Sequence, residues 1–149
     1  MRKRFKGAGG AGNCEVRESS IKRGGFGVFA TKPFRKGGKR KGKEISIMLY
    51  RGEIIYTLLD SHKENDYIAE LRDENGDVFY MDASDENSCL GRYLNDPGPG
   101  KDQFVNAKIK WCSRRQCGIV VALTDINIGD EIFISYHDSY WNGREYNCF

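Results

Sequence analysis

The sequence predicts a mainly β domain built from many short strands with little helix, and three observations lead there. Its apolar and aromatic residues fall in short runs such as Val28-Phe29-Ala30 and Ile132-Phe133-Ile134, about the length of a strand. Eighteen of its 149 residues are glycine, which favours frequent turns over long helices. Asn75-Gly76 stands between two such runs and marks a hairpin.

Taken in order, residues 1–12 are basic and glycine-rich and read as a flexible arm, leaving 13–149 as one domain. Residues 14–18 can form a first strand, and Val28-Phe29-Ala30 a second that Pro33 stops. Residues 44–56 are the longest β-like block; Arg51-Gly52 divides it into two strands at a bend or bulge. Residues 57–65 allow a short helix. Residues 66–71 and 78–82 make the hairpin around Asn75-Gly76, and residues 83–90 suit a helical turn. Residues 91–107, with three glycines and two prolines, form an irregular loop. Residues 107–111 and 118–123 pair next. A turn at Asn127, Gly129 and Asp130 then feeds the run 132–136, which is apolar on both faces and reads as a strand buried on both sides. Tyr136 ends that run, where its hydroxyl can reach a cavity wall.

Composition excludes several classes. No apolar run approaches the length that spans a bilayer, and the first residues lack a signal peptide's apolar stretch, so the expected protein is soluble and intracellular. Five cysteines without a secretory signal read as reduced thiols, and their spacing with two histidines does not make a zinc site; no metal is expected. The Gly25–Gly27 segment leads into a strand rather than a helix, which excludes a Rossmann fingerprint. GGKRKGK at 37–43 is followed by Glu44, which cannot supply the hydroxyl of a Walker loop. Net charge is +3, with basic residues crowded between Lys32 and Lys43. That run is either a solvated loop or a handle for nucleic acid or an acidic protein surface.

Four separated pieces then align: GGFGVFA at 24–30, YRGE at 50–53, GRYLN at 91–95 and GDEIFISYHDSYW at 129–141, with YMDAS at 80–84 between them. In this order they resemble the SET domain of protein lysine methyltransferases, particularly the small, free-standing, viral-like form without zinc-binding flanks. The resemblance implies a β-clip-like fold of several small sheets with a threaded, pseudoknotted C-terminal segment. It also implies S-adenosylmethionine as cofactor and a protein lysine as substrate, most often on a histone tail, in a nuclear or chromatin setting. Tyr136 corresponds to the catalytic tyrosine, and Tyr50 would line the lysine channel beside it. Gly25, Phe26 and Gly27 would hold the cofactor's methionine part; Tyr67, Arg92, Asn95, Asp96 and Trp141 would complete its pocket. Ile134 and Tyr140 would shape the substrate channel. A small residue at 134 implies room for di- or trimethylation.

The chemistry favours such a tyrosine wall on its own terms. A lysine amine, with a reference pKa of about 10.4, must arrive neutral, and a dry aromatic channel disfavours the ammonium. In-line transfer then depends mainly on alignment. One departure stands out: the family's usual Asn-His pair is Asn95-Asp96 here. It leaves open a catalytically weak or inactive binding module of PR type, beside a lysine methyltransferase acting on a non-histone protein.

Overall fold

The computed structural model describes residues 12–21, 25–36, 44–62 and 65–136. Eight strands follow one another: β1 (Cys14–Glu18), β2 (Phe26–Ala30), β3 (Ser46–Tyr50), β4 (Glu53–Ile55), β5 (Ile68–Arg72), β6 (Val78–Asp82), β7 (Ala107–Cys112) and β8 (Cys117–Ala122). They form three small sheets, with strand orders β1-β2, β3-β8-β7 and β4-β6-β5. Every pairing within them is antiparallel. The fold is mainly β, and its helical content among the described residues is three 3-10 turns, at Asp60–His62, Leu90–Tyr93 and Asp102–Phe104.

Local chemistry accounts for the division. Arg51 and Gly52 separate β3 from β4, and the strands on either side enter different sheets, so the break is a sheet switch rather than a bulge within one strand. The β5–β6 hairpin closes as Asn75-Gly76 predicts: Gly76 takes φ +82°, and the Asp73 carboxylate accepts the Asn75 and Asp77 amides at 2.9 Å each. The helical turn expected over 83–90 lies later, at Leu90–Tyr93. Val16, Val28, Ile47, Met81, Leu94, Val120, Ile126 and Ile132 are buried at the shared centre, so all three sheets close on one core.

The run 132–136 corrects the sequence reading. It is no regular strand but an extended segment held by isolated bridges, Phe29 with Glu131 and Asn95 with Phe133, the latter parallel. Residues 131–134 are buried, while Ser135 is exposed. The Ile132 amide donates to the Val28 carbonyl at 2.8 Å, and the Ile134 amide to Asn95 at 3.0 Å. The Asn106 and Ala107 amides both donate to the Phe133 carbonyl at 3.1 Å. The segment is thereby bonded to β2, to residue 95 and to the start of β7, which places it between the β1-β2 and β3-β8-β7 sheets.

Candidate functional site

Tyr136 emerges from that threaded segment. Its hydroxyl donates to the Leu94 carbonyl at 2.5 Å, and its amide donates to the Asp96 carboxylate at 2.6 Å. Ile134, two residues earlier, is buried. Tyr50, the last residue of β3, is buried too, and its hydroxyl donates to the Tyr67 carbonyl at 3.4 Å. Burial pushes the Tyr50 phenol above its ordinary range, with Cys89 and Asp82 adding to the rise and Arg92 opposing it. Tyr50 is therefore a neutral donor at physiological pH.

Tyr50, Ile134 and Tyr136 line one cavity of about 450 Å³, whose other walls include β5, Arg92, Leu94, Val105 and residues 107–109. Such a volume is of the size that admits a side chain or small ligand. The cavity runs between β5 and β7, each an outer strand of its own sheet.

Next to it the expected cofactor residues gather. The Asn95 side-chain amide donates to the Phe26 carbonyl at 2.9 Å and to the Ser19 hydroxyl at 3.2 Å. Phe26 meets Tyr93 edge-on with ring centres 6.2 Å apart. The Arg92 guanidinium lies 4.1 Å over the Tyr67 ring. All three guanidinium nitrogens are bonded within the protein: Nε to the Ala83 carbonyl, Nη1 to the Tyr93 hydroxyl and Nη2 to the Ser84 carbonyl. Arg92 thus ties the Leu90–Tyr93 turn to the end of β6.

Gly25 is exposed with φ +63°, a conformation suited to glycine. Gly27 answers to packing: a Cβ there would fall 2.0 Å from Oε1 of Glu131. Glu131 is a residue that motif reading passed over. It is buried, and it accepts from the Ser19 hydroxyl at 2.7 Å and from the Ser20 amide at 2.9 Å. Its position before an apolar run was the one available signal. Asn106, in the position of the family motif's second asparagine, braces the same segment, donating to the Glu131 carbonyl and accepting the Phe133 amide, at 2.9 and 2.8 Å.

A family model for the SET domain matches residues 25–137. The chain belongs to the SET-domain family. Solved structures of the same fold include the methyltransferase domain of human PR domain-containing protein 2, at 23% identity and TM-score 0.58, covering 84% of this chain and 77% of that one. The ATXR5 SET domain, in complex with histone H3 dimethylated on an arginine, gives 21% identity and TM-score 0.61 over 89% of this chain and 59% of that one. CpSET8 from Cryptosporidium gives 21% and 0.60, over 84% and 57%. This SET domain thus spans less than two thirds of the last two chains, and at these identities the likeness is one of fold. No curated protein matches the chain.

Within the SET domain, Tyr50, Tyr67, Arg92, Asn95, Asp96, Ile134 and Tyr136 come together around the cavity and the threaded segment. Tyr140 and Trp141 lie outside the described residues, as do residues 1–11 of the basic arm and residues 37–43 of the basic run. Lys32, Arg35 and Lys36, at the start of that run, are exposed. Among the described residues, no helix is long and apolar enough to cross a membrane.

Proposed function

We propose that this SET domain transfers a methyl group from S-adenosylmethionine to the side-chain amine of a protein lysine, with a histone tail as substrate. The observation that carries the reading is the convergence of Tyr136, Tyr50 and Ile134 on one cavity. Solved structures of the same fold in complex with histone H3 support the substrate class.

S-adenosylmethionine, the cofactor that SET methyltransferases generally use, supplies an electrophilic methyl group on a sulfonium. The donor set supports a fit to this cationic group. The neutral Tyr50 hydroxyl lines the site, and the nearby buried cation, Arg92, has its donors spent on protein acceptors. Gly25, Phe26 and Asn95 would hold the cofactor beside the Arg92–Tyr67 pair, with Trp141 completing the pocket. When bound, the cofactor would supply that methyl group to a lysine amine, which a dry, aromatic channel favours in its neutral form. Tyr136, anchored on the Leu94 carbonyl, orients the reacting groups. Tyr50, held neutral, bounds the lysine channel as a donor and not as a base. Most of the rate advantage in such a displacement comes from alignment in a water-poor site.

A nuclear or chromatin setting follows from a histone substrate, and the basic run between Lys32 and Lys43 is proposed to touch nucleosomal DNA. The competing readings are a SET-like binding module without turnover, and a lysine methyltransferase of a non-histone protein. Incubation with methyl-labelled S-adenosylmethionine and mixed core histones, followed by mass spectrometry of the labelled peptides, separates them. Label on a histone lysine is the expected result. Cofactor binding without transfer to histones or to any protein in a whole-cell extract would support the module.

A further inference from the structure

We infer that Asp96 is a positioning residue that aligns Tyr136 through its backbone amide, an inference resting on the proposed transfer reaction. Asp96 is buried, with 8% of its surface exposed. One carboxylate oxygen accepts the Gly98 amide at 2.7 Å and the other the Tyr136 amide at 2.6 Å. The segment that carries Asp96 also carries Leu94, whose carbonyl accepts the Tyr136 hydroxyl. Tyr136 is thus gripped at both ends by residues two apart in sequence.

The reason for this grip lies in how the backbone pairing ends. Asn95 and Phe133 form a parallel bridge, and the Ile134 amide donates to the Asn95 carbonyl. In a continued parallel ladder the next donor would be the Tyr136 amide and the next acceptor the carbonyl of residue 97. Residue 97 is proline, which has no amide to carry the ladder onward. Where the ladder stops, the Asp96 carboxylate accepts the Tyr136 amide in place of a carbonyl. An acid serves both amides at once because each of its oxygens is an acceptor. An asparagine offers one acceptor and one donor, and a histidine ring at most one acceptor, so neither satisfies both amides. The residue that departs from the family's usual pair therefore has its own task in this chain.

The test is Asp96→Asn in the full chain, assayed with S-adenosylmethionine and core histones and labelled with 3-fluorotyrosine, with Tyr136→Phe to assign the fluorine signal. The expected result is a kcat lower by roughly 10- to 100-fold, the scale of losing a hydrogen bond to a charged group. KM for S-adenosylmethionine stays unchanged, and the Tyr136 signal moves while those of Tyr67 and Tyr93 do not. A raised cofactor KM with kcat intact would make Asp96 a cofactor contact and overturn the inference. So would an unmoved Tyr136 signal. If wild type transfers no methyl group, the function reading fails while the fluorine spectrum still decides the positioning claim. If Asp96→Asn does not fold, amide exchange in the wild type decides. Slow exchange at Tyr136 beside fast exchange at exposed Ser135 upholds the inference, and equally fast exchange at both overturns it.

Discussion

Tyr50 and Tyr136 face one cavity but are fixed by different means. The Tyr50 ring is wedged against Gly91, where a Cβ would approach the ring carbon Cδ2 at 2.6 Å. Gly91→Ala must therefore displace Tyr50 or the Leu90–Tyr93 turn, because ring and backbone are both confined. We expect transfer activity to fall about tenfold while the fold persists with a loss of about 1–3 kcal/mol, the usual cost of overpacking; activity assays and urea unfolding check it. Ile134 is buried, lines the cavity and carries no hydroxyl, so under the proposed function it would leave space beside the amine. Intact-mass analysis over time is expected to pass beyond the monomethyl product, and a reaction that stops at monomethyl contradicts that role. Cys14 reports on the core itself. Burial pushes its thiol from 9.0 up to about 12. Between those values the unfolded chain has lost a proton that the folded chain retains. Stability contributed by the buried thiol is thus complete below 9.0 and is lost as pH rises toward 12. Tyr50 adds to the decline above 10.0 in the same direction. Cys14→Val is expected to flatten the fall of the urea midpoint across that window relative to wild type.

Among the elements, the local ones were open to sequence reasoning and the threaded one was not. The Asn75-Gly76 hairpin, the break at Arg51-Gly52 and the β7–β8 pair follow from turn chemistry and short-range pattern, and they fold as read. Residues 132–136 read as a strand because the run is mostly apolar. Pattern alone could not reveal that their partners are Val28, Asn95, Asn106 and Ala107, each reached across a long sequence separation. Glu131 escaped notice for the same reason, since its carboxylate bonds Ser19 and Ser20 more than a hundred residues away. It ties the β1–β2 turn region to the threaded segment. Glu131→Ala is expected to cost about 2 kcal/mol by leaving those donors without their buried acceptor. Denaturant unfolding measures it, and the small volume at Gly27 makes Glu131→Gln the milder variant.

For the whole molecule, the three sheets meet where the site is built, so fold and site became legible together once the four motifs were aligned. Their order along the chain pointed to the family, and the catalytic-tyrosine position and its neighbours fell around one cavity. What the motifs could not disclose was how a departure such as Asp96 is accommodated, because its two bonds depend on a chain crossing that no local stretch encodes. The Tyr136 hydroxyl bonds a backbone carbonyl at the cavity wall, so under the proposed function it serves transfer more than cofactor capture. The most direct test is single-turnover methyl transfer to core histones by wild type and Tyr136→Phe, with S-adenosylmethionine binding to each measured by calorimetry. The expected rate is lower by roughly 100-fold, in line with losing one oriented hydroxyl, with cofactor affinity unchanged. Equal rates in the two proteins would contradict it.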